Sequence, residues 1–95
     1  MNRVLQWSLV EFRNQPRSYY EGKVRLFPEG GPLIGIAGEV GDVSNHGFRV
    51  LLLEAWLAPG REVRFRHRFF QGKARVMWSR SESGAVETGF HILPD

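Results

Sequence analysis

The stretch Glu62-Val-Arg-Phe-Arg-His-Arg-Phe69 alternates between two kinds of residue at every step. After Glu62 the even positions are all arginine, and the odd positions are Val63, Phe65, His67 and Phe69. A period of two is typical of a β-strand that has one face on a core and the other in water. We therefore predict a strand here, with the arginines exposed and the odd positions, including a packed histidine, buried.

Further strand-like segments lie on both sides of this stretch. The candidate strands are 18–27, 33–43, 48–53, 62–69, 73–80 and 86–93. Residues that favour turns separate them, among them Pro59-Gly60 and Gln71-Gly72, the second of which resembles a tight reversal. In the segment after that reversal, Ala74, Val76 and Trp78 share the predicted buried face. Six or seven short strands in this arrangement indicate an all-β fold, either a small antiparallel barrel or a sandwich.

Three glycines interrupt the segment 33–43 at a regular interval. Gly35, Gly38 and Gly41 recur at every third residue. Glycine inside a strand often marks a bulge or a position that another part of the chain approaches closely. We therefore predict a bent strand, as a small barrel requires. No helix or lysine follows these glycines as in a phosphate-binding loop, so we assign them no nucleotide-cradling role.

Length and composition limit the class of protein. The 95 residues suffice for one domain, and the hydrophobic share of 42% is enough to form a core that needs no disulfide or metal cross-link. The chain has no cysteine, which excludes disulfides, thiolate metal sites and thiol catalysis and agrees with a reducing cytoplasm. The longest apolar run, Val50 to Leu53, is far shorter than the ~20 residues of a membrane helix. We therefore expect a cytoplasmic protein without membrane insertion.

The positive charge comes almost entirely from arginine. Eleven of the thirteen basic residues are Arg, and the net charge is +3. The planar guanidinium donates paired hydrogen bonds to phosphates and to guanine edges. Arg64, Arg66, Arg68 and Arg75 could form a basic sheet face for RNA, although solvated strand positions explain them more simply, and we do not expect a nucleic acid to be the main partner.

Two short motifs carry the chemistry of the chain. Arg13-Asn-Gln-Pro-Arg17 reads RxxxR, and we predict that it lies on an extended linker because Pro16 disfavours helix at the residue before it. Asp42-Val-Ser-Asn-His-Gly47 reads DxSxxG. The arginines can grip a phosphate or the O6/N7 edge of guanine, and the Asp42 carboxylate can accept two parallel N–H groups. The Ser44 hydroxyl donates or accepts, and Gly47 permits a turn or a close approach.

The order of these features resembles the PilZ domain, a bacterial receptor for the second messenger cyclic di-GMP. The shared order is RxxxR, a β segment to Phe27, DxSxxG leading into Phe48 to Leu53, a Pro-Gly turn, and a strand containing Val76-Met-Trp78. A Gly89-Phe90 pair follows near the end, so that the resemblance covers roughly residues 11–93. His46 departs from the family pattern, which often has a small residue at that position.

The resemblance implies both a fold and a function. The fold is a small six-stranded antiparallel β-barrel over residues 18–95, preceded by a short N-terminal arm and RxxxR linker over residues 1–17. The implied function is a cyclic di-GMP receptor for signal transduction that has no catalytic or metal site and no cofactor. By resemblance, Arg13 and Arg17 hold phosphates and guanine edges, Asp42 and Ser44 bind a guanine, and Gly47 shapes the turn. Binding would order the linker and relay occupancy to an unidentified protein effector.

Other interpretations of the same residues remain open at this point. Arg13 and Arg17 could be solvated surface charges, and residues 42–47 could form an Asx or Ser turn that closes a hairpin, with Gly47 at positive φ. The whole chain could be a PilZ-like module that binds no nucleotide and acts in protein interaction, or an RNA-binding barrel. Asp42, Ser44 and His46 contain the residue types of a catalytic triad, but side by side on an extended segment they do not converge.

Overall fold

The structure is a computed structural model that describes residues 21–44, 46–53 and 55–94. Six strands make up these residues: β1 (Gly22–Pro28), β2 (Ile36–Val43), β3 (Gly47–Leu53), β4 (Glu62–His67), β5 (Gln71–Glu82) and β6 (Ala85–Leu93). The predicted all-β fold is confirmed over this part of the chain. Within the same residues, no helix is long and apolar enough to cross a membrane.

The six strands close into one barrel. Their order around it is β1-β2-β3-β6-β5-β4, and every neighbouring pair is antiparallel, including the β1–β4 pair that completes the circle. The six-stranded antiparallel barrel implied by the resemblance is therefore confirmed, and the sandwich alternative is wrong. Among the six described strands, closure leaves no unpaired edge, which removes the main route by which exposed strands associate.

The barrel interior is filled by the alternate residues of each strand. Phe48 lies between Phe65, with ring centroids 4.9 Å apart, and Phe90, with centroids 5.3 Å apart. Around this aromatic group pack the aliphatic side chains that each strand directs inward, among them Val24, Leu26, Val50, Leu52, Val63 and Val76. Burial of this apolar surface, at roughly 25 cal/mol per Å², is the main stabilising contribution to a domain of this size.

The β4 prediction is confirmed except at its last residue. Val63, Phe65 and His67 are buried, and the His67 ring stacks on Phe70 with centroids 4.1 Å apart. Phe69 was predicted to be buried as well, but it is 45% exposed. The strand ends at His67, where the chain bends and the His67 N–H donates to the Phe70 carbonyl over 2.8 Å. This bend directs Phe70 into the core in place of Phe69.

The reversal between β4 and β5 lies earlier than the sequence suggests. It consists of the bend at 68–69 and is closed by the hydrogen bond to Phe70, whereas Gln71 and Gly72 already pair with Arg66 and Phe65 in the sheet. The tight reversal predicted at Gln71-Gly72 is therefore wrong. The glycine is used instead for packing, because a Cβ at residue 72 would meet the Phe65 ring at 3.1 Å.

The glycine-rich β2 strand is bent, as predicted. A Cβ at Gly38 would lie 2.4 Å from a Val50 methyl carbon and 2.8 Å from one of Leu52, so only glycine lets β3 pack so closely there. Gly35 has φ +80° at the end of the β1–β2 loop. Gly41 lies at a register shift between Val40 and Asp42, where β2 carries one residue more than its partner strand.

Candidate functional site

Two bulges turn the polar and aromatic residues of one region outward. Val40 faces the core, and without an extra residue Asp42 would face it too, because alternate residues share a face. The bulge at Gly41 shifts the register, so Asp42 lies on the outer surface opposite Arg49. A second bulge on β5, at Met77, has the same effect on Trp78. Bulges commonly re-aim side chains next to functional sites.

The β5 bulge overturns one prediction. Trp78 was expected to share the buried face of Ala74 and Val76, but it is 37% exposed and lies on the outer surface. Its indole covers Gly89 on β6, where a Cβ would be 2.3 Å from two indole atoms. Because Gly89 has no side chain, the indole can pack directly against the backbone of β6.

Asp42, Arg49, Gly89 and Trp78 consequently form one row across four strands. Asp42 pairs in register with Arg49, Arg49 with Gly89, and Gly89 with Trp78. The row follows the order β2, β3, β6, β5 around the barrel. It brings a carboxylate, a guanidinium and an exposed indole onto one continuous surface.

A chain of ion pairs with alternating charge begins in this row and continues through Glu87 to Arg80. The Arg49 Nη2 atom lies 3.0 Å from Asp42 Oδ2, and its Nη1 atom lies 3.1 Å from Glu87 Oε2. Arg80 forms a further ion pair with Glu87. The Val43 N–H donates to Asp42 Oδ1 over 2.9 Å, so both carboxylate oxygens are already oriented. Because these side chains are partly exposed, each pair is worth at most ~1 kcal/mol of stability, and their value lies in fixing geometry.

The turn between β2 and β3 is closed by the serine of the DxSxxG motif. The Ser44 N–H donates to the Gly47 carbonyl over 2.9 Å, and its hydroxyl lies 3.4 Å from the same oxygen. The Ile92 N–H donates to the His46 carbonyl over 2.8 Å and ties the turn to β6. Ser44 itself is exposed. The sequence allowed an Asx or Ser turn here, but among the described residues the bonds that join Ser44 to Gly47 are a backbone pair and a hydroxyl that donates to the same carbonyl.

Gly47 is required for packing and not for an unusual backbone angle. Its φ is not positive, so that part of the turn interpretation is wrong. A Cβ at Gly47 would lie 1.8 Å from the Phe90 carbonyl oxygen, because β3 and β6 approach closely at this point. Gly47 is buried. Gly47 therefore allows the turn to pack closely against β6, and Asp42 and Ser44 carry the polar groups on the outer surface.

An open concavity of about 250 Å³ lies over this surface. It is lined by Asp42, Val43, Ser44, Phe48, Arg49, Met77, Trp78, Gly89 and Phe90. Pockets that enclose a whole drug-sized ligand measure roughly 300–1,000 Å³. This concavity therefore suits one flat ring system such as a single base, with the rest of a larger ligand outside it.

Some of the predicted site residues are brought together by the fold. Asp42 and Ser44 line the same concavity, and Gly47 supports the turn that carries them. Arg13 and Arg17 lie outside the described residues. Sequence reasoning did not assign Arg49 or Trp78 to the site. Arg49 follows Asp42 by seven residues, a spacing that indicates an ion pair only once the hairpin register is known. Trp78 was noted only as part of a strand, with its side chain predicted to be buried.

A comparison with protein families identifies the chain. The PilZ domain family matches residues 11–95, nearly the whole chain, including both the RxxxR and DxSxxG motifs. The chain belongs to the PilZ family. PilZ domains are in general receptors for cyclic di-GMP and act as binding modules and not as enzymes. No curated protein and no solved structure gives a significant match to this PilZ chain.

Proposed function

We propose that this PilZ domain is a cyclic di-GMP receptor that binds a guanine of the ligand in the concavity between Asp42 and Trp78. The observation that carries the proposal is the shared concavity of a carboxylate, a hydroxyl and an exposed indole. A guanine offers two N–H donors on one edge and a flat π surface. An aspartate accepts from such donors, and an indole stacks on such a surface.

The state of Asp42 supports this assignment. Its carboxylate already accepts from Arg49 and from the Val43 N–H, but an ionised carboxylate has about four acceptor positions. Two of these positions therefore remain for the guanine edge, without any rearrangement of the ion pair. Arg49 holds the carboxylate at a fixed angle, which reduces the entropy lost when the ligand binds.

The linker arginines supply what the concavity lacks. Cyclic di-GMP carries two negative phosphates, whereas the concavity contributes one carboxylate and one guanidinium that is already shared between Asp42 and Glu87. We assign the phosphates and the guanine O6/N7 edges to Arg13 and Arg17, because paired guanidinium donors match both. Capture of the ligand would then order the linker against the barrel and present a new surface to a protein effector.

The site can be mapped directly by nuclear magnetic resonance. Addition of cyclic di-GMP to 15N-labelled protein should shift the amide signals of Asp42, Ser44 and Gly89 and the indole signal of Trp78. The signals of Arg64 and Arg66, on the opposite side of the barrel, should move little. Shifts centred on Arg64 and Arg66 would contradict the assignment, and the absence of any shift would favour the alternative of an interaction module that binds no nucleotide.

A further inference from the structure

The side of the barrel away from the concavity carries cations that face one another. On the outer surface of β1, β4 and β5, Arg25 lies in register opposite Arg66, and Arg64 lies opposite Lys73. Like charges directly opposite on neighbouring strands destabilise a sheet. We call these four residues the basic face. Their placement opposite one another costs stability, and a binding role would account for that cost.

Carboxylates border this face, but among the described residues none forms an ion pair with it. Each ion pair among the described residues uses Arg49, Arg75 or Arg80, and none involves a member of the basic face. Glu62, which borders the face, is paired with Arg75 over 3.0 Å, and Glu29 lies at the same border. Among the described residues, the four cations of the basic face are therefore not held in ion pairs and can attract an external anion.

Two of the most exposed apolar side chains of the described residues lie next to the same face. Leu33 is 95% exposed and Ile34 is 77% exposed, in the loop between β1 and β2. The Arg25 Nη1 atom donates to the Ile34 carbonyl over 2.9 Å, which fixes the loop beside the cations. A Cβ at Gly35 would lie 2.8 Å from the side chains of both Arg25 and Phe27, so the loop folds against β1.

An aromatic ring joins the loop to the cations. The Arg66 guanidinium lies 5.7 Å from the centroid of the Phe27 ring, and Phe27 is in register opposite Arg64. A shallow depression of about 320 Å³ opens beside this ring. It is lined by Phe27, Arg64, Phe65, Arg66, Gln71 and Gly72. The two guanidinium groups can bind a phosphate, and the apolar residues beside them can contact an organic group attached to that phosphate.

We propose that the basic face, together with Leu33 and Ile34, docks the domain on the surface of an anionic lipid bilayer. Aliphatic side chains at a protruding loop enter the boundary between headgroups and acyl chains, and neighbouring cations attract anionic headgroups. RNA would account for the cations but leaves Leu33 and Ile34 unexplained. The apolar runs of the sequence are too short for a membrane-spanning helix, so the proposed contact is peripheral, with the domain on the surface of the bilayer. It does not depend on the proposed nucleotide site.

The test is co-sedimentation of the full chain with vesicles. Vesicles of phosphatidylcholine with roughly 30% phosphatidylglycerol should bind the protein, and vesicles of phosphatidylcholine alone should not. Binding should fall at least about fivefold when the salt is raised from about 50 mM to about 300 mM, because screening shortens the reach of the cations. Equal binding to both kinds of vesicle, or binding to neither, would overturn the proposal.

Matched variants separate the two parts of the surface. The double variant Arg25→Gln/Arg66→Gln should reduce vesicle binding at least about tenfold, and Arg75→Gln/Arg80→Gln, with the same change in charge, should reduce it less than about threefold. Leu33→Ser/Ile34→Ser should reduce binding at least about fivefold without any change in charge. If the serine variant binds like the parent while a 12-residue oligouridylate binds through Arg25 and Arg66, the surface serves nucleic acid and the proposal is wrong. Arg25→Gln/Arg66→Gln and Leu33→Ser/Ile34→Ser, which change no residue of the concavity or of its ion pairs, should retain cyclic di-GMP binding if the proposed function holds, so the two proposals fail separately.

Discussion

Arg49 Nη2 lies 3.0 Å from Asp42 Oδ2 on the outer surface of the barrel, across neighbouring strands. The contact exists because the bulge at Gly41 turns Asp42 away from the core and into register with Arg49. The local backbone irregularity therefore decides whether the DxSxxG carboxylate lies on the outer surface of the barrel or in its interior.

Asp42→Ala should weaken cyclic di-GMP binding by ~1.5 to 3 kcal/mol, roughly ten- to a hundredfold, because it removes the acceptor for the guanine edge. The free energy of unfolding should change by less than about 1 kcal/mol, since the ion pair is partly exposed. Calorimetric titration and denaturant unfolding measure the two quantities. The matched control is Glu62→Ala, which breaks the 3.0 Å pair with Arg75 outside the concavity and should leave affinity unchanged. Equal losses in both variants would refute a specific role for Asp42.

Trp78→Phe should remove the fluorescence change that cyclic di-GMP causes in the parent protein. The indole is 37% exposed over Gly89 and lines the concavity, so a stacked guanine would contact it directly. Trp78→Ala should in addition weaken binding by about 1–3 kcal/mol, the usual loss for one stacked base. Trp56→Phe, which replaces another exposed tryptophan, serves as the control and should keep the full fluorescence response. A response that disappears with Trp56 and survives without Trp78 would place the ligand elsewhere.

Gly47→Ala should destabilise the barrel by more than about 2 kcal/mol or prevent folding, because the new methyl group would collide with the Phe90 backbone. Thermal unfolding followed by circular dichroism measures this effect. Gly41→Ala is the control, since a Cβ there would be no closer than 3.9 Å to the nearest atom, the Arg49 carbonyl oxygen. Its melting temperature should stay near that of the parent. A stable Gly47→Ala protein would mean that the turn can shift, and the packing explanation for this glycine would be wrong.

Cyclic di-GMP should slow amide hydrogen exchange in residues 11–18, if the linker arginines bind the ligand as proposed. The strand β3 should show the same protection with and without ligand, because its backbone pairs with strands on both sides. The comparison uses mass spectrometry on the same peptides in both states. Unchanged exchange in residues 11–18 would argue against ordering of the linker, although it would leave binding at the concavity intact.

Periodic patterns predicted the strands, and their failures have a common cause. The sequence indicated β3 and β4 closely because both are regular over their length. It misplaced Phe69 and Trp78, since each follows a point where one residue breaks the alternation, the bend after His67 and the bulge at Met77. A bulge depends on pairing with a distant strand, so local periodicity does not reveal it.

The candidate site was predicted in part for a similar reason. Asp42, Ser44 and Gly47 belong to one contiguous motif, and sequence alone identifies it. Arg49 and Trp78 join the site only through the register of β3, β6 and β5, which brings them into one row with Asp42. The basic face was also predicted only in part. The alternation in β4 placed Arg64 and Arg66 on one outer face, and Arg25 joins them only because β1 lies beside β4.

The most direct test of the account is a calorimetric titration of the full chain with cyclic di-GMP, with GTP as the control ligand. The account predicts saturable binding of cyclic di-GMP, no comparable binding of GTP, and a loss of roughly ten- to a hundredfold in affinity for Arg13→Ala and for Arg17→Ala. Arg64→Ala, on the basic face, should bind like the parent. No heat of binding for cyclic di-GMP, or undiminished binding in both linker variants together with a loss in Arg64→Ala, would contradict it.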